Sequence, residues 1–194
     1  MGEINNNLFP VFLKANELHI LVVGGGNVAL EKVNAVVSNS PETKITLISV
    51  TIHEEIYALS KTFNITIVQR NFEIGDLEKK DLVIVAINNK EIGASIRNES
   101  KKRKLLTNVA DTPELCDFYL SSIVQKGNLK IAISTNGQSP TLAKRMKEIL
   151  NDTIPYEIDE LIENLNKIRN NLSGDFQFKV SELNKITKSL VEKA

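Results

Sequence analysis

The sequence predicts an α/β fold, a doubly wound parallel sheet followed by a small α+β region and a helical C-terminal tail. Three observations predict it. Leu18-His19-Ile20-Leu21-Val22-Val23 is a short, mostly apolar run rich in Val and Ile, the pattern of a strand buried on both faces. Gly24-Gly25-Gly26 ends it, and Ala29, Val33, Val36 and Val37 then recur at i, i+4, i+7 and i+8, one face of a helix. Further apolar runs then alternate with helical stretches along the chain, the rhythm of parallel strands joined by crossovers.

Taken in order, Met1 to Asn7 is polar and reads as loose, and Leu8-Phe9-Pro10-Val11-Phe12-Leu13 is an apolar run with a proline, expected to pack on the sheet edge. Strands are predicted at 18–23, 44–49, 65–70, 82–87 and 105–110, with helices near 27–37, 52–62 and 91–102 and a loop at 73–77. Beyond Thr112 the rhythm changes. Tyr119–Gln125 and Leu129–Ser134 are strand-like about Lys126-Gly127-Asn128, a hairpin signal. Ser139 is a helix N-cap candidate with Pro140 at the first helical position. Leu142, Met146, Ile149 and Leu150 carry that helix's apolar face; a second stripe runs from Ile158 to Ile168, and a last helix is expected over Val180 to Val191.

Composition narrows the function. The chain has 194 residues, enough for one full domain and an appendage, with 24 basic residues against 24 acidic. A nucleic-acid binder shows a basic surplus, and 5 % aromatics without tryptophan make a poor base-stacking platform, so no nucleic-acid partner is expected. One cysteine, Cys116, forms no internal disulfide, and with two histidines, His19 and His53, it offers no zinc cluster, so no metal site is expected. No apolar run approaches a membrane span and no signal peptide is visible, so a cytoplasmic setting is the expectation.

Gly24, Gly26 and Ala29 fit the G-x-G-x-x-G/A fingerprint between a strand and a helix. Gly24 permits a tight turn that a Cβ forbids, Gly26 lets the backbone approach a pyrophosphate, and Ala29 lets the helix lie close to the strand. The helix start offers N–H groups and partial positive charge to phosphates. Gly24, Gly25, Gly26, Asn27, Val28 and Ala29 are therefore the cofactor-binding candidates, together with strand-end residues Ser49, Ala86, Asn88 and Val109. The second strand ends in Ser49-Val50-Thr51, with neither an acid for a ribose nor an Arg for a 2′-phosphate, so spacing alone leaves NAD against NADP open. His19, His53 and Cys116 read as structural, and Lys101-Lys102-Arg103-Lys104 as a solvated helix end. Tyr57 and Lys61 match a Tyr-x-x-x-Lys spacing but fall in the wrong part of the sheet order.

Four stretches together resemble a known family. Asn6 to Leu13, Val22 to Ala29 with Lys32, Asn108-Val109-Ala110-Asp111 with Pro113 to Phe118, and Ile133 to Pro140 are similar to the precorrin-2 dehydrogenase family of the siroheme-synthase N-terminal type. Some members of that family are also sirohydrochlorin ferrochelatases. The resemblance covers about Leu8 to Leu150, and the chain departs from the family pattern at Glu31, Ile87 and Thr135-Asn136. The resemblance implies a Rossmann domain over residues 1–112, a dimerisation region over 113–150 and a helical domain over 151–194, assembled as a homodimer. It also implies NAD-dependent oxidation of precorrin-2 to sirohydrochlorin, with Fe²⁺ as a further substrate where the chelatase is present. The family's catalytic aspartate maps onto Asp111, which the residues alone favour as a cap for a helix begun at Thr112-Pro113. The tetrapyrrole's carboxylates call for N–H groups and cations, which Ser139 with the helix start at Pro140, and Lys144, Arg145 and Lys147, would supply. A non-catalytic NAD(H)-sensing regulatory domain is the rival reading. It would share the Gly24–Ala29 loop and have no use for the Asp111-Thr112-Pro113-Glu114 segment.

Overall fold

The structure is a computed structural model that describes residues 6–188. It contains two compact units, Met1–Leu120 and Ser121–Ala194.

The first unit is built on five parallel strands: β1 (His19–Val23), β2 (Lys44–Ile48), β3 (Ile65–Val68), β4 (Leu82–Val85) and β5 (Leu106–Val109). They lie in the order β3-β2-β1-β4-β5, so the order reverses between β1 and β4. The predicted strands are recovered one or two residues shorter. Alternation along β1 explains the two-faced core, because successive side chains leave a strand on opposite faces. Ile20 and Val22 join Ala29, Val33, Val36 and Val37 of α1 (Asn27–Asn39) and Ile56 of α2 (Glu54–Ser60) on one face. Leu21 and Val23 join Leu77, Val83, Val85, Val109 and Ile96 of α3 (Lys90–Lys102) on the other. The α1 stripe is the one the sequence spells out.

Residues 73–77, expected as a loop, contain a short 3-10 turn, Ile74–Leu77, that inserts Leu77 into the core. The Leu8–Leu13 run differs from expectation more sharply. It forms no strand or helix, and Phe9, Val11 and Phe12 are 85, 61 and 67 % exposed. Residues 1–5 of the polar N-terminal stretch lie outside the described residues.

In the second unit β6 (Ser122–Lys126) and β7 (Leu129–Ile133) form the expected antiparallel hairpin. Asp159 accepts hydrogen bonds from the backbone and side-chain N–H groups of Asn128, which fixes the turn. Three helices follow: α4 (Pro140–Thr153), α5 (Ile158–Asn171) and α6 (Phe176–Thr187). The last was expected over Val180–Val191; it begins at an Asp175 cap, and 189–191 lie outside the described residues. α4 buries Ala143, while Leu142, Met146 and Ile149 of its apolar face stay exposed. Among the described residues no helix is long and apolar enough to cross a membrane.

Candidate functional site

Where the strand order reverses, a doubly wound sheet leaves a crevice at the carboxyl ends of its strands. The first unit has a cleft of about 490 Å³ at that place. The loop Gly24–Val28 after β1 forms one wall. Ser49 and Thr51 follow β2, Ala86 to Lys90 follow β4, and Val109 to Thr112 follow β5.

The glycine loop has distinct physical reasons at each position. Gly24 adopts φ +116°, and a Cβ there would lie 2.1 Å from the Ala86 carbonyl oxygen. A Cβ on Gly25 would lie 2.3 Å from the Thr51 carbonyl oxygen, and the Gly25 carbonyl accepts a hydrogen bond from the His53 N–H at 2.7 Å. Both glycines are therefore required by the protein's own packing. Gly26 is not: a Cβ there would meet nothing within 4 Å, and its φ of −87° suits any residue. The space that the absent Gly26 side chain leaves belongs to the cleft. Gly26 is also the N-cap of α1 and, having no side chain, caps nothing. α2, α3, α4 and α6 are capped by His53, Asn89, Ser139 and Asp175. The α1 terminus thus keeps donors and positive dipole for an anion in the cleft, and the residues present fit a dinucleotide pyrophosphate.

Of the predicted cofactor residues, Gly24, Gly25, Gly26, Asn27, Val28, Ser49, Ala86, Asn88 and Val109 all line this cleft. Ala29 does not. It is fully buried beneath the loop in the α1–sheet core, where a small side chain sets the helix-to-strand distance. Asp111 lines the cleft and is exposed. It does not cap the following turn: that position is taken by Thr112, and Asp111 itself adopts φ +57°. A left-handed conformation is costly for a residue with a Cβ and is common at functional sites. The segment after it is tied down by Cys116, whose thiol donates toward the Val109 carbonyl and accepts from the Val109 N–H. Burial pushes the Cys116 thiol above its ordinary pKa, so it behaves as a packing group with a weak hydrogen bond.

Ser139, Lys144 and Arg145 belong to the second unit. Ser139 accepts a hydrogen bond from the Leu142 N–H and caps α4 as expected. Lys144 is exposed, and Arg145 pairs with Glu148 one turn along the helix. His19 is structural: its Nε2 lies 2.8 Å from Thr46 Oγ1, and its backbone N–H donates to the Asp81 carboxylate. Tyr57 donates to Gln69, and neither it nor Lys61 lines the cleft. The cleft also contains Thr51, Ile87, Asn89, Lys90, Ala110 and Thr112, none of them among the predicted cofactor residues. Their signal was position alone, each lying within a few residues of a strand's C-terminal end.

A family model described as "Putative NAD(P)-binding" matches residues 11–122, more than half of the chain. The chain belongs to this NAD(P)-binding family. A second model, the sirohaem biosynthesis protein central region, matches residues 126–153. The siroheme synthase of Ruthia magnifica is 30 % identical over 176 residues, 91 % of this chain and 35 % of that protein. The siroheme synthase of Thioalkalivibrio sulfidiphilus is 33 % identical over 149 residues, 77 % of this chain and 30 % of that one. The chain thus spans about a third of the length of these curated relatives. Among solved structures, SirC, a precorrin-2 dehydrogenase, superposes with a TM-score of 0.71 at 24 % identity, covering 92 % of this chain and 89 % of that one. This likeness establishes the shared fold: the five-stranded parallel sheet, the small antiparallel sheet and the helical C-terminal region.

Proposed function

We propose that the chain oxidises precorrin-2 to sirohydrochlorin with NAD. The observation that carries the proposal is Asp111, a carboxylate in left-handed backbone at the end of β5, in the same cleft as the Gly24–Gly26 loop and free of the capping role that would explain it otherwise. The siroheme synthases among the relatives support the choice of substrate.

In this reading the Gly24–Val28 loop and the open α1 terminus hold the pyrophosphate, while Ser49 and Thr51 face the ribose and Ala86, Asn88 and Val109 line the path to the nicotinamide. NAD, when bound, supplies the hydride acceptor. Asp111 is the general base that takes the proton lost from the macrocycle as the hydride leaves it. Ser139 with the start of α4, and Lys144 and Arg145, meet the substrate's carboxylates. Asp111 is also the base for stripping pyrrole protons if Fe²⁺ is inserted as a second substrate. We read residues 1–112 as the NAD-binding domain, 113–150 as a dimerisation region and 151–194 as a helical domain. The exposed stripe Leu142, Met146 and Ile149 on α4, 53, 37 and 55 % exposed, supports a homodimer; its compartment in this reading is the cytoplasm.

The test is Asp111→Asn, which keeps the side chain's shape and removes the base. It retains the fold and NAD affinity and loses turnover. Normal turnover in that variant overturns the assignment.

A further inference from the structure

β5 is an edge strand, and the backbone groups on its outer side need partners. The chain returning after Asp111 provides them, largely with side chains. The Asp117 N–H donates to the Thr107 carbonyl at 2.7 Å, and the Asp117 carboxylate accepts from the Thr107 N–H at 3.0 Å. Two residues along the strand, the Cys116 thiol serves both the N–H and the carbonyl of Val109, at 3.3 and 3.2 Å. Arg97 reaches this segment from α3. Its Nη2 donates to Asp117 at 2.6 Å and its Nε to the Leu115 carbonyl at 3.1 Å, and its side chain is 13 % exposed. One guanidinium fork thus joins helix, returning segment and edge strand, and Asp111 lies between the strand and the pinned segment at φ +57°.

We propose that Arg97 and Asp117, with Cys116, are positioning residues that hold Asp111 in its left-handed conformation and aim its carboxylate into the cleft. The proposal rests on the reading of Asp111 as the base. None of the three lines the cleft, so they act through the backbone of residues 111–117. A lysine cannot reproduce the guanidinium's two simultaneous donors to fixed acceptors, so Lys is a partial substitute at 97. In Asp117→Asn the side chain loses its charge, and its amide must keep an oxygen toward the Thr107 N–H while its NH₂ faces a guanidinium that only donates.

The experiment uses the full chain and compares Arg97→Met, Arg97→Lys and Asp117→Asn with the wild type. It measures kcat and KM for precorrin-2, Kd for NAD and the thermal midpoint, with assays well below every midpoint. Arg97→Met is expected to lose about 10- to 100-fold in kcat, the scale of a small misplacement of a reacting group, with KM and NAD Kd within twofold. Arg97→Lys recovers part of the loss. A purely structural clasp lowers the midpoint and leaves kcat untouched, and that outcome overturns the proposal. Should Arg97→Met not fold, Asp117→Asn carries the same expectation and the same refutation. Amide hydrogen exchange over residues 111–115 gives a readout without substrate: it should accelerate at least tenfold in the variants, and unchanged exchange also overturns the proposal. A wild type that binds NAD and does not oxidise precorrin-2 defeats the catalytic reading instead, which the exchange data keep separate from the clasp.

Discussion

Gly26→Ala separates a glycine kept for folding from one kept for a ligand. The added methyl meets no protein atom within 4 Å, and the backbone at φ −87° already suits an L side chain. Folding stability should therefore change little. Alanine is a poorer N-cap than glycine, by roughly a few tenths to 1 kcal/mol, while the loss of glycine's freedom in the unfolded chain returns about 0.4–1 kcal/mol. Ligand binding is another matter, because the methyl occupies the approach to the α1 terminus. Displacing a phosphate from one backbone N–H forfeits a charge-assisted hydrogen bond, about 1.5–3 kcal/mol, or roughly 10- to 150-fold in Kd. Calorimetric titration with NAD and NADH beside a thermal melt reads both quantities. An unchanged midpoint with affinity lowered at least tenfold is the expected result. Unchanged affinity in the folded variant would refute the placement of the pyrophosphate at Gly26.

Gly25→Ala should behave oppositely: its Cβ would lie 2.3 Å from the Thr51 carbonyl, so the thermal midpoint drops and a preserved midpoint contradicts the packing argument. Burial, then Lys80 and Lys44, lower the His19 pKa below its ordinary 6.5. The unfolded chain then binds the proton more readily, so stability is full above pH 6.5 and is lost as pH falls below it. His19→Gln should flatten that part of a stability–pH profile, and an unchanged slope assigns it elsewhere. Arg145→Glu should raise KM for the substrate and leave NAD affinity alone; an unchanged KM removes Arg145 from the carboxylate contacts. Light scattering at micromolar concentration should give a dimer mass, and a monomer mass counts against the exposed α4 stripe as a subunit contact.

The parts of the fold legible in the sequence are those whose cause is local. The α1 stripe Ala29-Val33-Val36-Val37 follows from helical period alone and is buried residue for residue. The largely apolar strands β1 and β4 follow from burial on both faces and lie side by side at the sheet centre. The cofactor loop was legible because its glycines answer to steric rules within a few residues: the tight turn at Gly24 and the open approach at Gly26 follow from the fingerprint, whereas the packing of Gly25 against Thr51 does not. Long-range pairing was not legible. Arg97 and Asp117 are twenty residues apart and no periodic pattern links them. Leu8–Leu13 does not pack on the sheet edge as expected, because hydrophobicity says that a side chain leaves water, and does not say against which surface. The two readings of Asp111 had the same sequence signature, and only the N-cap position falling on Thr112 and the left-handed backbone at Asp111 part them.

The measurement that tests the central claim most directly is an anaerobic assay of the purified chain with precorrin-2 and NAD, following sirohydrochlorin absorbance and NADH together, then adding Fe²⁺. The account predicts sirohydrochlorin formed with one NADH per macrocycle, lost in Asp111→Asn. NAD binding with no oxidation of precorrin-2 would contradict it.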